Sequence, residues 1–352
     1  MNRRFAAVYA TVCMLLMAAG FLTVAVFAWK AGVAASVKCI VGLVYGLVLS
    51  PILHELGHVS FALIANMDYV YVKCFCFKIY IKNGKKRFGF ISPFAPDQTQ
   101  VLPQKGGNMQ KRAILYTLGG LIYSGVFMLI ILAGAILCVS VGEPSYLLWG
   151  MLPYAAYLFF LNLPPVEYPS GKTDTLVWRG IKRGEPAERA MISAMEIQGQ
   201  LFEGKSFSKI DEKWYFDLPQ LCEDDPLFAV MLDLRYRYYL EKEDIVEAAK
   251  CLNRLAEIQG YLSNEEFEKL GAELTYMHSI RGDIEGAEES GKLCKDYLRS
   301  NELTAKRALL AYSKACGKTE AIEPLFAQAK ECLKKEKIAG VRKFEEILLS
   351  RI

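Results

Sequence analysis

Histidine is scarce in this 352-residue chain. There are three, and two stand four positions apart in His54-Glu55-Leu56-Gly57-His58. On a helix that spacing puts both imidazoles on one face, a turn apart. Two such rings can reach a Zn²⁺ ion at about 2.0–2.1 Å. Glu55, beside the first ring, can take a proton from water activated at the metal. In a solvated helix the same five residues would be part of a polar face. Here there is no polar face: from about Cys39 to Ala65 the chain is almost wholly apolar, and Glu55 is its one acid. An ionisable group inside a membrane-length apolar segment is costly and points to function.

Four apolar runs must position this motif. The first, near 5–28, follows Arg3 and Arg4 and spans about 36 Å as a helix, enough to cross a bilayer. It is longer than a secretory signal core, so the expectation is a retained span. The second, near 34–65, carries the histidines. The third, near 113–141, contains Gly119-Gly120, which lets a neighbouring helix approach closely. The fourth, near 146–163, ends at Asn162-Leu163-Pro164-Pro165, where the prolines stop a helix.

Lys and Arg set the expected orientation. Lys73, Lys78, Lys82, Lys85, Lys86, Arg87, Lys105, Lys111 and Arg112 lie between spans two and three, and none lies between spans three and four. With Arg3, Arg4, Lys172, Arg179, Lys182 and Arg183, this places both termini and the long basic segment in the cytosol of a multi-pass protein of the cell membrane. Lys30 and Lys38 fall on the other side. Within the basic segment, β-prone residues flank Asn83-Gly84, which predicts a hairpin near 69–91. That hairpin either rests on the membrane or offers an edge for an extended substrate.

A catalytic zinc takes three protein ligands and water. The residues alone leave Glu167 and Asp174 open as the third. The arrangement resembles the site-2 protease family of intramembrane metalloproteases. It shares an embedded His-Glu-x-x-His, a hairpin-bearing loop, two further spans, then Asn162-Leu163-Pro164-Pro165 and Gly171-Lys172-Thr173-Asp174. The likeness covers residues 33–180. It implies that His54, His58 and Asp174 hold Zn²⁺, that Glu55 is the catalytic base and that Asn162 orients the scissile carbonyl. It further implies a zinc endopeptidase cutting a membrane-anchored protein or peptide near the cytosolic face. This chain has Thr175 where many members place Gly after the Asp, and Leu121 where many place Pro after the glycine pair.

Composition changes after about residue 180. The expected division is a membrane metalloprotease domain over 1–180 and a soluble α-helical domain over 181–352, giving a mostly α chain with a small β insertion. Helical runs pair up as 227–239 with 245–258, 267–280 with 285–298, and 304–315 with 320–333. Similar breaks at Glu243-Asp244, Gly282-Asp283 and Gly317-Lys318 recur at about 35–39 residues, near the period of helix-pair solenoids. This region resembles a degenerate tetratricopeptide-like array, a class of surface that binds protein partners. His278 reads as surface or packing. The ten cysteines are scattered without zinc-finger spacing, which favours reduced thiols. With no phosphate loop and no basic patch interleaved with aromatics, no nucleic-acid partner is expected. Two other readings remain: a membrane metalloprotease of another class with a Glu third ligand, and a non-catalytic scaffold that binds partners through its helices.

Overall fold

An apolar run without a polar face can hide its peptide groups from lipid only by hydrogen-bonding them within a helix. The structure, a computed structural model, describes residues 3–82, 85–92, 98–258, 260 and 262–352. The chain is mostly helical. Its described residues form two compact units: Met1–Pro103 with Asn108–Glu188, and Gln104–Gly107 with Arg189–Ile352.

In the first unit, α1 (Arg3–Ala31) and α2 (Val33–Ile64) meet at Gly32, whose φ of 108° suits a residue without a side chain. After a sheet come α3 (Met109–Ser140) and α4 (Tyr146–Asn162). Three of these helices, α1 to α3, are long and apolar enough to cross a membrane. The run expected as a fourth span is α4, whose 17 residues rise about 25 Å before the two prolines end it. It packs on α1, α2 and α3. Small residues make that packing close. A side chain at Gly42 would meet the Leu147 carbonyl at 2.1 Å, and one at Gly150 the Cys39 carbonyl at 2.3 Å.

The sheet is larger than the expected hairpin. β1 (Met67–Cys74), β2 (Phe77–Lys82), β3 (Lys85–Phe90) and β4 (Gln98–Pro103) form an antiparallel sheet in the order β3-β2-β1-β4. The stretch 69–82 is not one strand, because the chain turns at Phe75, which adopts φ 51°. The Asn83-Gly84 turn lies outside the described residues. After α4, the two-residue strands β5 (Glu167–Tyr168) and β6 (Gly171–Lys172) lead into α5 (Asp174–Arg183).

In the second unit, α6 (Pro186–Phe202, of which the first residues belong to the first unit) packs with the Gln104–Gly107 segment. The Gly107 amide donates to both Glu196 oxygens at 2.8 and 3.0 Å. The short α7 (Lys213–Phe216) follows. Three helix pairs come next: α8 (Pro226–Glu241) with α9 (Ile245–Glu257), α10 (Asn264–Ile280) with α11 (Ile284–Leu293) and the short α12 (Lys295–Arg299), and α13 (Leu303–Ala315) with α14 (Thr319–Lys335). The last helix is α15 (Ala339–Arg351). The three pair breaks share a backbone device: Glu243, Gly282 and Gly317 all take positive φ, at 63°, 75° and 68°. In the first two, Asp244 and Asp283 then cap the next helix through a side-chain oxygen.

A buried ion cluster joins these helices. Arg307 of α13 donates to Glu273 of α10 at 2.7 Å and to Glu345 of α15 at 2.8 Å. Tyr236 of α8 donates to the other Glu273 oxygen at 2.7 Å, and the guanidinium lies 4.2 Å from the Tyr276 ring centroid. Burial alone would raise the Glu273 pKa, but Arg307 and Arg237 hold it below the usual carboxylate range. Burial pushes Glu345 the other way. Removing one partner of a buried ion pair strands the other charge. Arg307→Leu is therefore expected to cost about 3–5 kcal/mol, read as a lower urea midpoint of the detergent-solubilised chain. An unchanged midpoint would contradict this account of the core.

Candidate metal centre

Three side chains converge at the motif. His54 and His58 stand on one face of α2, with ring centroids 4.9 Å apart. Asp174, the first residue of α5, faces both. Its Oδ2 lies 3.5 Å from His54 Nε2 and its Oδ1 3.4 Å from His58 Nε2. One ligand atom from each residue fits within 4.8 Å of the others. Ligand atoms around a tetrahedral ion at 2.0–2.1 Å stand about 3.3 Å apart, and the two distances from the carboxylate to the rings are close to that separation.

The rings are aimed. His58 Nδ1 donates to the Tyr116 carbonyl at 3.0 Å, which turns Nε2 toward Asp174. His54 Nδ1 lies 2.9 Å from the Ser124 hydroxyl. Both partners come from α3. Gly57 and Gly119 bring the helices together: a Cβ at Gly57 would sit 2.3 Å from the Gly119 carbonyl, and one at Gly119 would sit 2.5 Å from that of Gly57. Gly120 then lies directly under the ligand atoms. A Cβ there would be 2.4 Å from His58 Nε2 and 2.9 Å from His54 Nε2. Arg112 fastens the far end of the crossing by donating to the Ala65 and Asn66 carbonyls at 2.6 and 2.7 Å.

Asp174 is positioned by the turn before it. The Thr173 hydroxyl donates to the Pro164 carbonyl at 2.8 Å and accepts from the Leu176 amide at 3.3 Å, capping α5. Thr175 donates to the Asn162 carbonyl at 3.0 Å, so α5 is tied to the end of α4 on both sides of Asp174. Burial would raise the Asp174 pKa, but the facing His58 and His54 hold it below the usual carboxylate range. Its Oδ2 is buried without a hydrogen-bond partner. A buried carboxylate oxygen that faces an imidazole nitrogen and has no hydrogen-bond donor calls for an explanation, and a role as metal ligand supplies one. Two nitrogens and one carboxylate are a donor set suited to a divalent transition metal.

Glu55 is buried and points elsewhere. Its Oε2 accepts from the Thr99 hydroxyl of β4 at 2.5 Å. The Thr99 carbonyl accepts from the Tyr116 hydroxyl at 2.6 Å. One chain of contacts thus runs from Glu55 through Thr99 and Tyr116 to His58. Asn162 is outside the cluster, with its amide donating to Leu158 of its own helix at 3.2 Å. Glu167 lies exposed on β5 and does not join the histidines. His278 pairs with Asp283 at 2.7 Å, at the break between α10 and α11. Thr99, Tyr116 and Ser124 carry no motif that would mark them in the sequence; only Gly119-Gly120 stands out there, as a site of close helix approach.

Compared with protein-family models, curated proteins and solved structures, the chain shows no match. The geometry itself makes a prediction. Gly120→Ala drives a methyl into both Nε2 positions and should abolish binding of a divalent metal, measured by elemental analysis of the purified chain. Metal retained at the wild-type level would place the ion away from His54 and His58.

Proposed function

We propose that this chain is a membrane-embedded zinc endopeptidase that cuts a membrane-anchored protein or peptide near the cytosolic face. The observation that carries the reading is the Asp174 carboxylate, one oxygen facing each histidine nitrogen and Oδ2 buried without a hydrogen-bond partner. The donor set favours Zn²⁺ among common ions. Zinc, when bound, supplies a Lewis acid that polarises a peptide carbonyl and acidifies water. Glu55 accepts the proton of the attacking water and returns it to the leaving amine. Thr99, which donates to Glu55 Oε2, would hold the carboxylate in place for that proton transfer. Asn162 takes the carbonyl-orienting role only if its side chain leaves Leu158 when substrate binds.

The resemblance to site-2 proteases supports the same reading. In it, α4 is the fourth span, and the basic segments place both termini in the cytosol. A substrate helix hides its peptide bonds in its own hydrogen bonds, so it must unwind to be cut. An extended segment fits beside β4, the edge strand that reaches Glu55. To pair there it takes over the Thr99 carbonyl now held by Tyr116. The three helix pairs of the second unit fit a tetratricopeptide-like array that docks a substrate or partner.

Glu55→Gln should retain zinc and lose cleavage when the chain is co-expressed with candidate single-span proteins and the fragment is followed. Full cleavage by that variant would remove Glu55 from the chemistry. Asp174→Ala should lower bound zinc; unchanged zinc would put the third ligand elsewhere. Thr99→Val removes a hydrogen bond to a charged group, a loss of about 1.5–3 kcal/mol, or roughly 10–100-fold in rate. Thr99→Ser should restore the rate, and equal rates in all three proteins would deny Thr99 its positioning role.

A further inference from the structure

We propose that the β2–β3 hairpin is an interfacial anchor that seats an aromatic face in the bilayer surface and its basic flank on anionic lipid headgroups. The inference needs a chain embedded in a membrane, for which the three long apolar helices speak, and does not need proteolysis.

Strand register carries the argument. Thr99 pairs with Val72, Val72 with Ile79, and Ile79 with Phe88, so these four form one row on one face of the sheet. The row begins at Glu55 of α2, where Thr99 is 8% exposed. Val72 is 6% exposed, Ile79 36% and Phe88 60%. The face packed on α2 at β4 and β1 therefore overhangs it at β2 and β3, about 10 and about 14 Å from β4 at a strand spacing of ~4.8 Å. The next row ends in Phe77 and Phe90, and Phe90 is 71% exposed. Phe77, Phe88 and Phe90 form a ring cluster with centroids 5.4 to 5.7 Å apart. Three clustered phenylalanines on a solvated two-stranded edge would favour aggregation unless something apolar covers them.

Charge identifies what covers them. The opposite face carries Lys78 and Arg87, with Tyr80 between them in the pairing. Residues 69–96 hold Lys78, Lys82, Lys85, Lys86 and Arg87, besides the buried Lys73, and no Asp or Glu. Lys86, paired with Ile81, shares the aromatic face and donates to the Tyr69 hydroxyl at 2.7 Å. An aromatic cluster flanked by cations with no acid among them is the pattern of an element lying in a lipid interface. β1 begins just after α2 ends, with Ala65 and Asn66 between, so the sheet starts where an apolar helix stops. A protein partner for the aromatic face would not by itself call for so one-sided a charge.

The test uses the full chain in nanodiscs of phosphatidylcholine with brominated acyl chains, with or without phosphatidylglycerol. The four native tryptophans give a background that is subtracted. The indole added by Phe88→Trp, or by Phe90→Trp as a second reporter on that face, should be quenched roughly twofold or more. That added by Arg87→Trp on the other face should stay bright. Phosphatidylglycerol should deepen the quenching at position 88, and Lys78→Glu with Arg87→Glu should cancel that gain. No quenching at 88 and 90, or equal quenching at 87 and 88, would overturn the anchor. Quenching that ignores lipid charge would overturn the headgroup contact. If lipid leaves position 88 bright while an added single-span peptide bearing a quencher dims it, the face belongs to a protein segment and the proposal fails.

Discussion

A carboxylate within 3.5 Å of two imidazole nitrogens, all three side chains largely withdrawn from solvent, is an expensive arrangement. The Asp174 Oδ2 is buried without a hydrogen-bond partner, and a shared cation would be a common partner for all three side chains. The rest of the first unit serves this approach. Gly57, Gly119 and Gly120 remove the side chains that would hold α2 and α3 apart, Tyr116 and Ser124 turn the rings, and Thr173 with Thr175 plants Asp174 at the start of α5.

What could be read from the sequence was what depends on local spacing. His54 and His58 share a face because a helix has 3.6 residues per turn, and Gly119-Gly120 signals close packing wherever it occurs in an apolar run. The helix breaks at Glu243, Gly282 and Gly317 were legible because a turn between antiparallel helices needs a left-handed residue. Thr99 was not legible. It lies 44 positions from Glu55 on a strand, Gln98–Pro103, with no clear apolar alternation, and becomes an edge of the sheet only by pairing with β1. Asn162 matches a motif by type, yet its amide bonds back to its own helix. Its backbone carbonyl, which no motif describes, is what ties α5 in place.

The two units solve the problem of buried charge in opposite ways. In the helical unit Arg307 is itself the cation, and Glu273, Glu345 and the Tyr276 ring surround it. Such a cluster specifies one packing of α8, α10, α13 and α15 and leaves no oxygen of Glu273 without a donor. In the first unit His54, His58 and Asp174 form a group that could hold a cation drawn from solution. A single row of the sheet runs from Thr99, against Glu55, to the exposed Phe88.

The central claim is that His54, His58 and Asp174 hold one divalent ion. X-ray absorption at the zinc edge on the zinc-loaded chain tests it most directly. The account predicts a shell of nitrogen and oxygen at about 2.0–2.2 Å, with imidazole outer-shell scattering from two rings and no sulfur. A shell containing sulfur at about 2.3 Å, or one without imidazole scattering, would contradict it.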